Sequence, residues 1–103
     1  MIVTLTVNPA IDHTVSADRL VFDDRAYILG RGEAAGGRGI NASSVIHSFG
    51  GKTLAISTAG GKTGEKFKSL LGRYSFPVQF VPIKSEMRIN LTITDKHGLS
   101  VVL

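Results

Sequence analysis

The sequence predicts an α/β fold, a parallel sheet with helices packed on it, followed by a small antiparallel β unit. Three patterns predict it. A short alternating strand opens the chain, two helix-period segments then alternate with a second strand, and strict period-two alternation returns after residue 88.

The elements follow in order. In Ile2–Val7, Val3, Leu5 and Val7 share one face with threonines between them, and Asn8-Pro9 stops the run, so this is the first strand. From Ile11 to Tyr27 short apolar pairs mix with Asp18, Arg19, Asp23, Asp24 and Arg25, a pattern of short, partly exposed strands joined by turns. After Gly36, Ala42, Val45, Ile46 and Phe49 stand at i, i+3, i+4 and i+7, which predicts a helix over about Ile40–Phe49 ended by Gly50 in a left-handed conformation. Thr53–Thr58 is the next strand. It runs into Gly60-Gly61, after which Thr63 is placed to cap a second helix whose Phe67, Leu70 and Leu71 share a face before Gly72. The alternation implies parallel strands with right-handed crossovers. Val78–Ile83 reads as another strand. Ile89, Leu91 and Ile93 alternate with Asn90, Thr92 and Thr94 up to an Asp95-Lys96-His97-Gly98 turn, with Leu99–Leu103 as the hairpin partner. The sequence stops within that apolar strand, as expected of a chain cut before its domain ends.

Composition narrows the function classes. With 103 residues, 43% hydrophobic content and three prolines the chain can bury a core as one ordered domain. The formal charge of +4 comes from scattered Lys and Arg with no polybasic run, so composition provides no nucleic-acid arm, while a modest positive balance suits the attraction of small phosphorylated anions. The absence of cysteine removes disulfide scaffolds, Cys-based zinc sites and thiol nucleophiles, and fits a reducing compartment. Met1–Val7 is too short and lacks the basic start of a secretory signal. No apolar run approaches the roughly 20 residues of a membrane span. A soluble cytoplasmic protein, without a membrane partner, is expected.

The twelve glycines are clustered, and the most informative cluster is Gly36-Gly37-Arg38-Gly39-Ile40-Asn41, a glycine-rich turn opening into an amphipathic helix. Bare glycines allow close approach to a ligand, the helix start offers free N–H groups, and Asn41 can donate to and accept from neighbouring hydroxyls. A plain tight turn explains the same spacing equally well. Gly37-x-Gly39-x-x-Ala42 satisfies a relaxed dinucleotide fingerprint but lacks the strand immediately before it and the acidic residue after the next strand. Gly61-Lys62-Thr63 is similar to the end of a P-loop, yet Ile56 stands where its first glycine is required. Both nucleotide motifs are therefore rejected.

Asp12 lies just past the carboxyl end of the first strand, where open α/β sheets place ligand groups, and its carboxylate can accept from two sugar hydroxyls; stabilisation of the turn after Pro9 is the alternative. Arg88 and Asn90 open the hairpin. Arg88 can fork onto a phosphate or carboxylate, or can be a solvated edge-strand charge. His13, His47 and His97 are too dispersed for metal-ligand spacing, and no metal site is proposed.

Taken in order, Asn8-Pro9-Ala10-Ile11-Asp12, Gly36-Gly37-Arg38-Gly39-Ile40-Asn41, Gly60-Gly61-Lys62-Thr63-Gly64 and Glu86-Met87-Arg88-Ile89-Asn90 resemble the landmarks of the PfkB, ribokinase-like carbohydrate kinases. The chain is most similar to the 1-phosphofructokinase and tagatose-6-phosphate kinase branch, whose first two landmarks read N-P-x-x-D and G-G-K-G-x-N. The resemblance spans essentially all of residues 1–103 as the amino-terminal part of such a domain. It implies a partial ribokinase-like fold: a doubly wound, Rossmann-like sheet with flanking helices, and a small β-sheet lid made by strands in about residues 14–30 and 89–103. The same resemblance implies that Asp12, Gly37, Gly39 and Asn41 hold sugar hydroxyls, Asp12 and Asn41 converging on one small polyol. Arg88, with Asn90 beside it, would meet the substrate's phosphate.

Partners implied by the resemblance are a sugar or sugar phosphate and, through the lid or an exposed sheet edge, a second copy of the chain. Cofactors implied for a whole enzyme are ATP and Mg²⁺. The family's general base sits in a G-A-G-D turn, and no Gly-Asp pair occurs in these residues, so the piece alone is expected to be inactive. Arg38 replaces the motif's lysine, His13 the basic residue that often follows the aspartate, and Met87 the usual threonine before the arginine. A non-catalytic sugar-phosphate-binding or dimerisation module of the same ancestry is the rival expectation.

Overall fold

The computed structural model of the chain describes residues 1–21 and 23–103; position 22, within the stretch predicted as short strands, lies outside the described residues. In chain order the elements are β1 (Ile2–Thr6), β2 (Ala10–Ala17), β3 (Ile28–Gly36), α1 (Arg38–Ser48), β4 (Thr53–Gly60), α2 (Gly61–Leu71), β5 (Val78–Ile83), β6 (Arg88–Thr94) and β7 (Ser100–Val102). They form two sheets. One is parallel, in the order β1-β4-β5; the other has the order β3-β2-β6-β7, with β2 and β6 parallel and the outer pairs antiparallel.

The parallel sheet is built as its sequence predicts, with a difference in facing. Thr6 is buried and Thr4 half-buried, whereas Val3, Leu5 and Val7 are 55%, 65% and 71% exposed. The hydroxyls go inward because α1 gives them partners: Thr4 Oγ1 and Ser43 Oγ are 2.7 Å apart, Ser43 Oγ and Thr53 Oγ1 2.8 Å, and the Ile40 amide donates to Thr6 Oγ1 at 3.1 Å. A continuous hydroxyl chain thus joins β1, α1 and β4, satisfying groups that burial would otherwise penalise. The core lies on this same face. Ile40 of α1, Ala55 and Ala59 of β4, and Phe67, Leu70 and Leu71 of α2 pack with Ile11, Ala35, Phe76 and Met87. Helix α1 ends as predicted, with Gly50 at φ +81°.

Three local predictions are corrected. The described residues of 11–27 do not form several short strands: β2 is one eight-residue strand, paired with β3 on one side and β6 on the other. Strand β3 continues through Gly30, Gly32 and Gly36, glycines that look like punctuation in sequence; pairing with β2 holds them extended at the edge of the sheet. Thr63 is not the cap of α2. The helix starts at Gly61 with Gly60 as its capping residue, which has no side chain to offer, and the acceptor comes from Glu86 on a distant loop.

The second sheet leans on α2 through its edge strand: Lys66 Nζ lies 2.6 Å from Glu33 Oε2, and Arg73 donates to the Glu33 carbonyl at 3.1 Å. The predicted closing hairpin is present, with Gly98 at φ +84° in its turn and the Asp95 carboxylate accepting the amides of His97 and Leu99. No helix among the described residues is long and apolar enough to cross a membrane.

Candidate functional site

The site is built where the two sheets meet, past the carboxyl end of β1. The β2–β6 register places Asp12 opposite Asn90 and Ala10 opposite Arg88, so Asp12, Asn90 and Arg88 share one face of the second sheet. Asn90 Nδ2 donates to Asp12 Oδ1 at 2.9 Å, Arg88 donates to Asn90 Oδ1 at 3.2 Å, and its other terminal nitrogen reaches the Asn8 carbonyl at 3.4 Å. Three polar side chains and the turn after β1 therefore form one hydrogen-bonded row, held by two strands. A carboxylate, an amide and a guanidinium in that order offer acceptors for hydroxyls at one end and a fork for an oxyanion at the other.

Glycine makes the room. A Cβ at Gly36 would collide with the Asp12 carboxylate, so the end of β3 must be bare for Asp12 to lie where it does. Gly37 has φ +143°, which a side chain would strain, and a Cβ there would also meet Thr6 Cγ2 at 2.6 Å. At Gly39 the crowding partners are the Thr6 hydroxyl and the Leu5 carbonyl. The glycine run thus seats the start of α1 directly on β1.

A cleft of about 340 Å³ opens beside this seat, lined by Leu5, Thr6, Val7, Asn8, Arg38, Gly39 and Arg88. Two arginines and no acidic residue line it, an arrangement suited to an anion. Arg38 has no ion-pair partner among the described residues.

Of the residues picked out in sequence, the structure brings together Asp12, Asn90 and Arg88, and places Gly39 with Arg88 on the cleft. Among the described residues no hydrogen bond joins Asn41 to Asp12; Asn41 is exposed on the first turn of α1, and neither residue is among those lining the cleft. Sequence reasoning gave no part to the Asn8 carbonyl or to Thr6. A threonine alternating with apolar residues carries no signal that its hydroxyl will cap a helix 34 residues away.

No family model matches the chain. Individual proteins do. The ATP-dependent 6-phosphofructokinase isozyme 2 of Mycobacterium tuberculosis is 35% identical over 96 residues, which are 93% of this chain and 28% of the relative. The 1-phosphofructokinase of Borreliella burgdorferi is 33% identical over 91 residues, 88% of this chain and 30% of the relative. Among solved structures, phosphofructokinase-2 from Escherichia coli in complex with fructose-6-phosphate matches 99% of the chain at a TM-score of 0.89 and 32% identity, over 34% of its own length. The same enzyme in a tetrameric inhibited form matches at a TM-score of 0.86.

The chain belongs to the PfkB, ribokinase-like carbohydrate kinase family. It spans about a third or less of the length of the relatives it matches. Within this PfkB chain the four landmarks read from sequence are neighbours in space: the Asn8–Asp12 turn, the glycine run and Arg88–Asn90 meet at the row and its cleft, and Gly60–Gly64 lies under Glu86 just before β6.

Proposed function

We propose that the protein is a cytoplasmic kinase transferring phosphate from ATP to a hydroxyl of a furanose sugar or sugar phosphate, and that residues 1–103 supply the sugar-binding wall and the β-sheet lid. The observation that carries this reading is the row Asp12–Asn90–Arg88 beside a cleft walled by Arg38 and Arg88. The fructose-6-phosphate complex of the matching Escherichia coli enzyme supports a ketose phosphate as ligand. Asp12 accepts sugar hydroxyls, with Asn90 orienting its carboxylate. Arg88 and Arg38 hold the phosphate already on the substrate. At the start of α1, Gly37 and Gly39 meet the sugar by backbone approach and Asn41 meets it by its amide.

ATP would serve as donor and Mg²⁺ would neutralise its phosphates when bound. Among the described residues no group of three or more His, Cys, Asp or Glu is close enough to hold a metal ion, so no ligand for Mg²⁺ is assigned to this chain and no step is routed through it. What these residues do is bind, orient and, by lid closure, exclude water from the transfer. We also propose self-association through the lid, whose edge strands β3 and β7 expose Ile28, Leu29, Val101 and Val102.

Calorimetric titration of the chain with fructose 6-phosphate, fructose 1-phosphate, fructose and inorganic phosphate tests the reading. Binding of a sugar phosphate that Asp12→Ala abolishes is expected; no binding, or binding indifferent to Asp12→Ala, overturns it. Coupled assay with ATP and Mg²⁺ is expected to show no turnover by these residues alone. Sedimentation at rising concentration checks self-association, and a strict monomer removes that part of the proposal.

A further inference from the structure

Gly60-Gly61-Lys62-Thr63 and the glutamate of Glu86-Met87-Arg88 have no part in the row or the cleft. These two lie against each other. The connection from β5 to β6 passes over the first turn of the 11-residue helix α2, and its Glu86 carboxylate accepts three hydrogen bonds there: from the Lys62 amide at 3.0 Å, from the Thr63 amide at 2.9 Å and from the Thr63 hydroxyl. The Thr63 oxygen in turn accepts the Met87 amide at 2.7 Å. One hydroxyl therefore donates to residue 86 and accepts from residue 87, and the next residue, Arg88, begins β6.

The surroundings are cut to this contact. Gly61 has φ +67°, and a Cβ on it would run into the Glu86 carboxylate; a Cβ on Gly60 would run into the carbonyls of Ile83 and Ser85. The Met87 side chain is buried in the core beneath. Loop 84–87 is thus fastened twice, by Glu86 to the helix start and by Met87 to the core. Beyond it, Arg88 and Asn90 hang from the first residues of β6. An anion at a helix N-terminus is favourable because the free amides there lack partners within the helix.

We infer that Glu86 and Thr63 are positioning residues of the sugar-phosphate site: clamped to the start of α2, they set the height of β6 against the parallel sheet and so set where Arg88 and Asn90 stand relative to Asp12 and the cleft. Neither residue touches the row itself. They act on the ligand through two strand residues whose guanidinium and amide must be held to fractions of an ångström for a fork onto phosphate to form. This inference rests on the binding function proposed above.

The test compares Thr63→Val, which keeps the shape but neither donates nor accepts, Thr63→Ser, which keeps both, and Glu86→Gln. Affinity for fructose 6-phosphate is measured by calorimetry well below the melting point of each chain, and exchange of the Met87 and Arg88 amides by NMR. Thr63→Val and Glu86→Gln are expected to bind roughly tenfold more weakly while remaining folded, Thr63→Ser to bind as the unsubstituted chain does, and the Met87 amide to lose its protection in Thr63→Val. A lower melting point with unchanged affinity would reduce the contact to a helix cap and overturn the inference, as would an unprotected Met87 amide in the unsubstituted chain. If the unsubstituted chain binds no sugar phosphate, the binding function itself fails; if it binds and Thr63→Val binds equally, only the positioning role fails.

Discussion

Asp12 and Asn90 stand opposite each other across the parallel β2–β6 pairing and share a hydrogen bond of 2.9 Å, although 78 positions separate them in the chain. The row is therefore only as rigid as that pairing, and each of its members can be tested by asking what leaves the pairing intact and removes one group.

Asn90→Ala removes the donor that orients Asp12 and the acceptor that holds Arg88. Affinity for fructose 6-phosphate is expected to fall by roughly tenfold, with stability lowered by only about 1 kcal/mol, because the site is partly exposed. Calorimetry and thermal melting read the two effects separately.

Arg88→Lys keeps the charge and loses the fork. The chain is expected to discriminate less between fructose 6-phosphate and fructose, since an ammonium lacks the two parallel N–H groups with which a guanidinium grips a phosphate. The ratio of the two dissociation constants is the quantity to measure, and an unchanged ratio would show that Arg88 does not meet the phosphate.

Gly36→Ala tests space. Its new Cβ collides with the Asp12 carboxylate, so either Asp12 turns away and sugar binding is lost or the strand end shifts at a cost of about 1–3 kcal/mol. Gly30→Ala, in the same strand but with nothing within 4 Å of a Cβ, serves as the control and is expected to leave both binding and melting temperature unchanged.

Ser43 is the middle of the buried hydroxyl chain between Thr4 and Thr53. Ser43→Ala leaves the buried Thr53 hydroxyl without that partner and is expected to cost about 1–3 kcal/mol in urea unfolding. Phe67→Ala, which empties the largest fully buried side chain among the described residues, is expected to cost about 3–5 kcal/mol, a large part of the stability of a chain of this size.

The Glu86 contact has a pH signature. Hydrogen bonds from the Thr63 hydroxyl, the Thr63 amide and the Lys62 amide, with the Lys62 charge nearby, hold its carboxyl below the ordinary value of 4.5. A lowered value in the folded state means that the unfolded chain takes up the proton first as pH falls. The contribution is therefore complete above about pH 4.5 and is lost as the pH drops through the lower, folded-state value. The melting-point gap between the unsubstituted chain and Glu86→Gln is expected to be constant from pH 7 to 5 and to close on further acidification. A gap that persists at the acid end would mean that the carboxylate charge is not what the helix start holds.

Much of this was legible in the residues. Alternation and helix periodicity marked β1, β4, β5, β6, β7 and both helices, since one covered face imposes a period of two on a strand and 3.6 on a helix. The order of four short landmarks was enough to point to the family, because glycines demanded by close approach and a polar residue at a strand tip leave no freedom of residue type. Local pattern failed where the partner was distant. The extended path of β3 through its glycines depends on β2 beside it, and nothing in Gly30 or Gly32 announces that pairing.

What the sequence determined by itself was both helices and the strands other than β2 and β3, the glycine-rich seat of α1 and the residues from which a polyol site can be made. The tertiary structure alone decided which way β1 faces, that Asp12 hydrogen-bonds Asn90, and that Glu86 caps α2 in place of Thr63. The reason is physical. A period says that a strand has two faces, but only the hydroxyls waiting on α1 make the threonine face the inner one. A carboxylate finds whichever donor the sheet register and the crossing of a loop bring within about 3 Å, however far along the chain that donor lies.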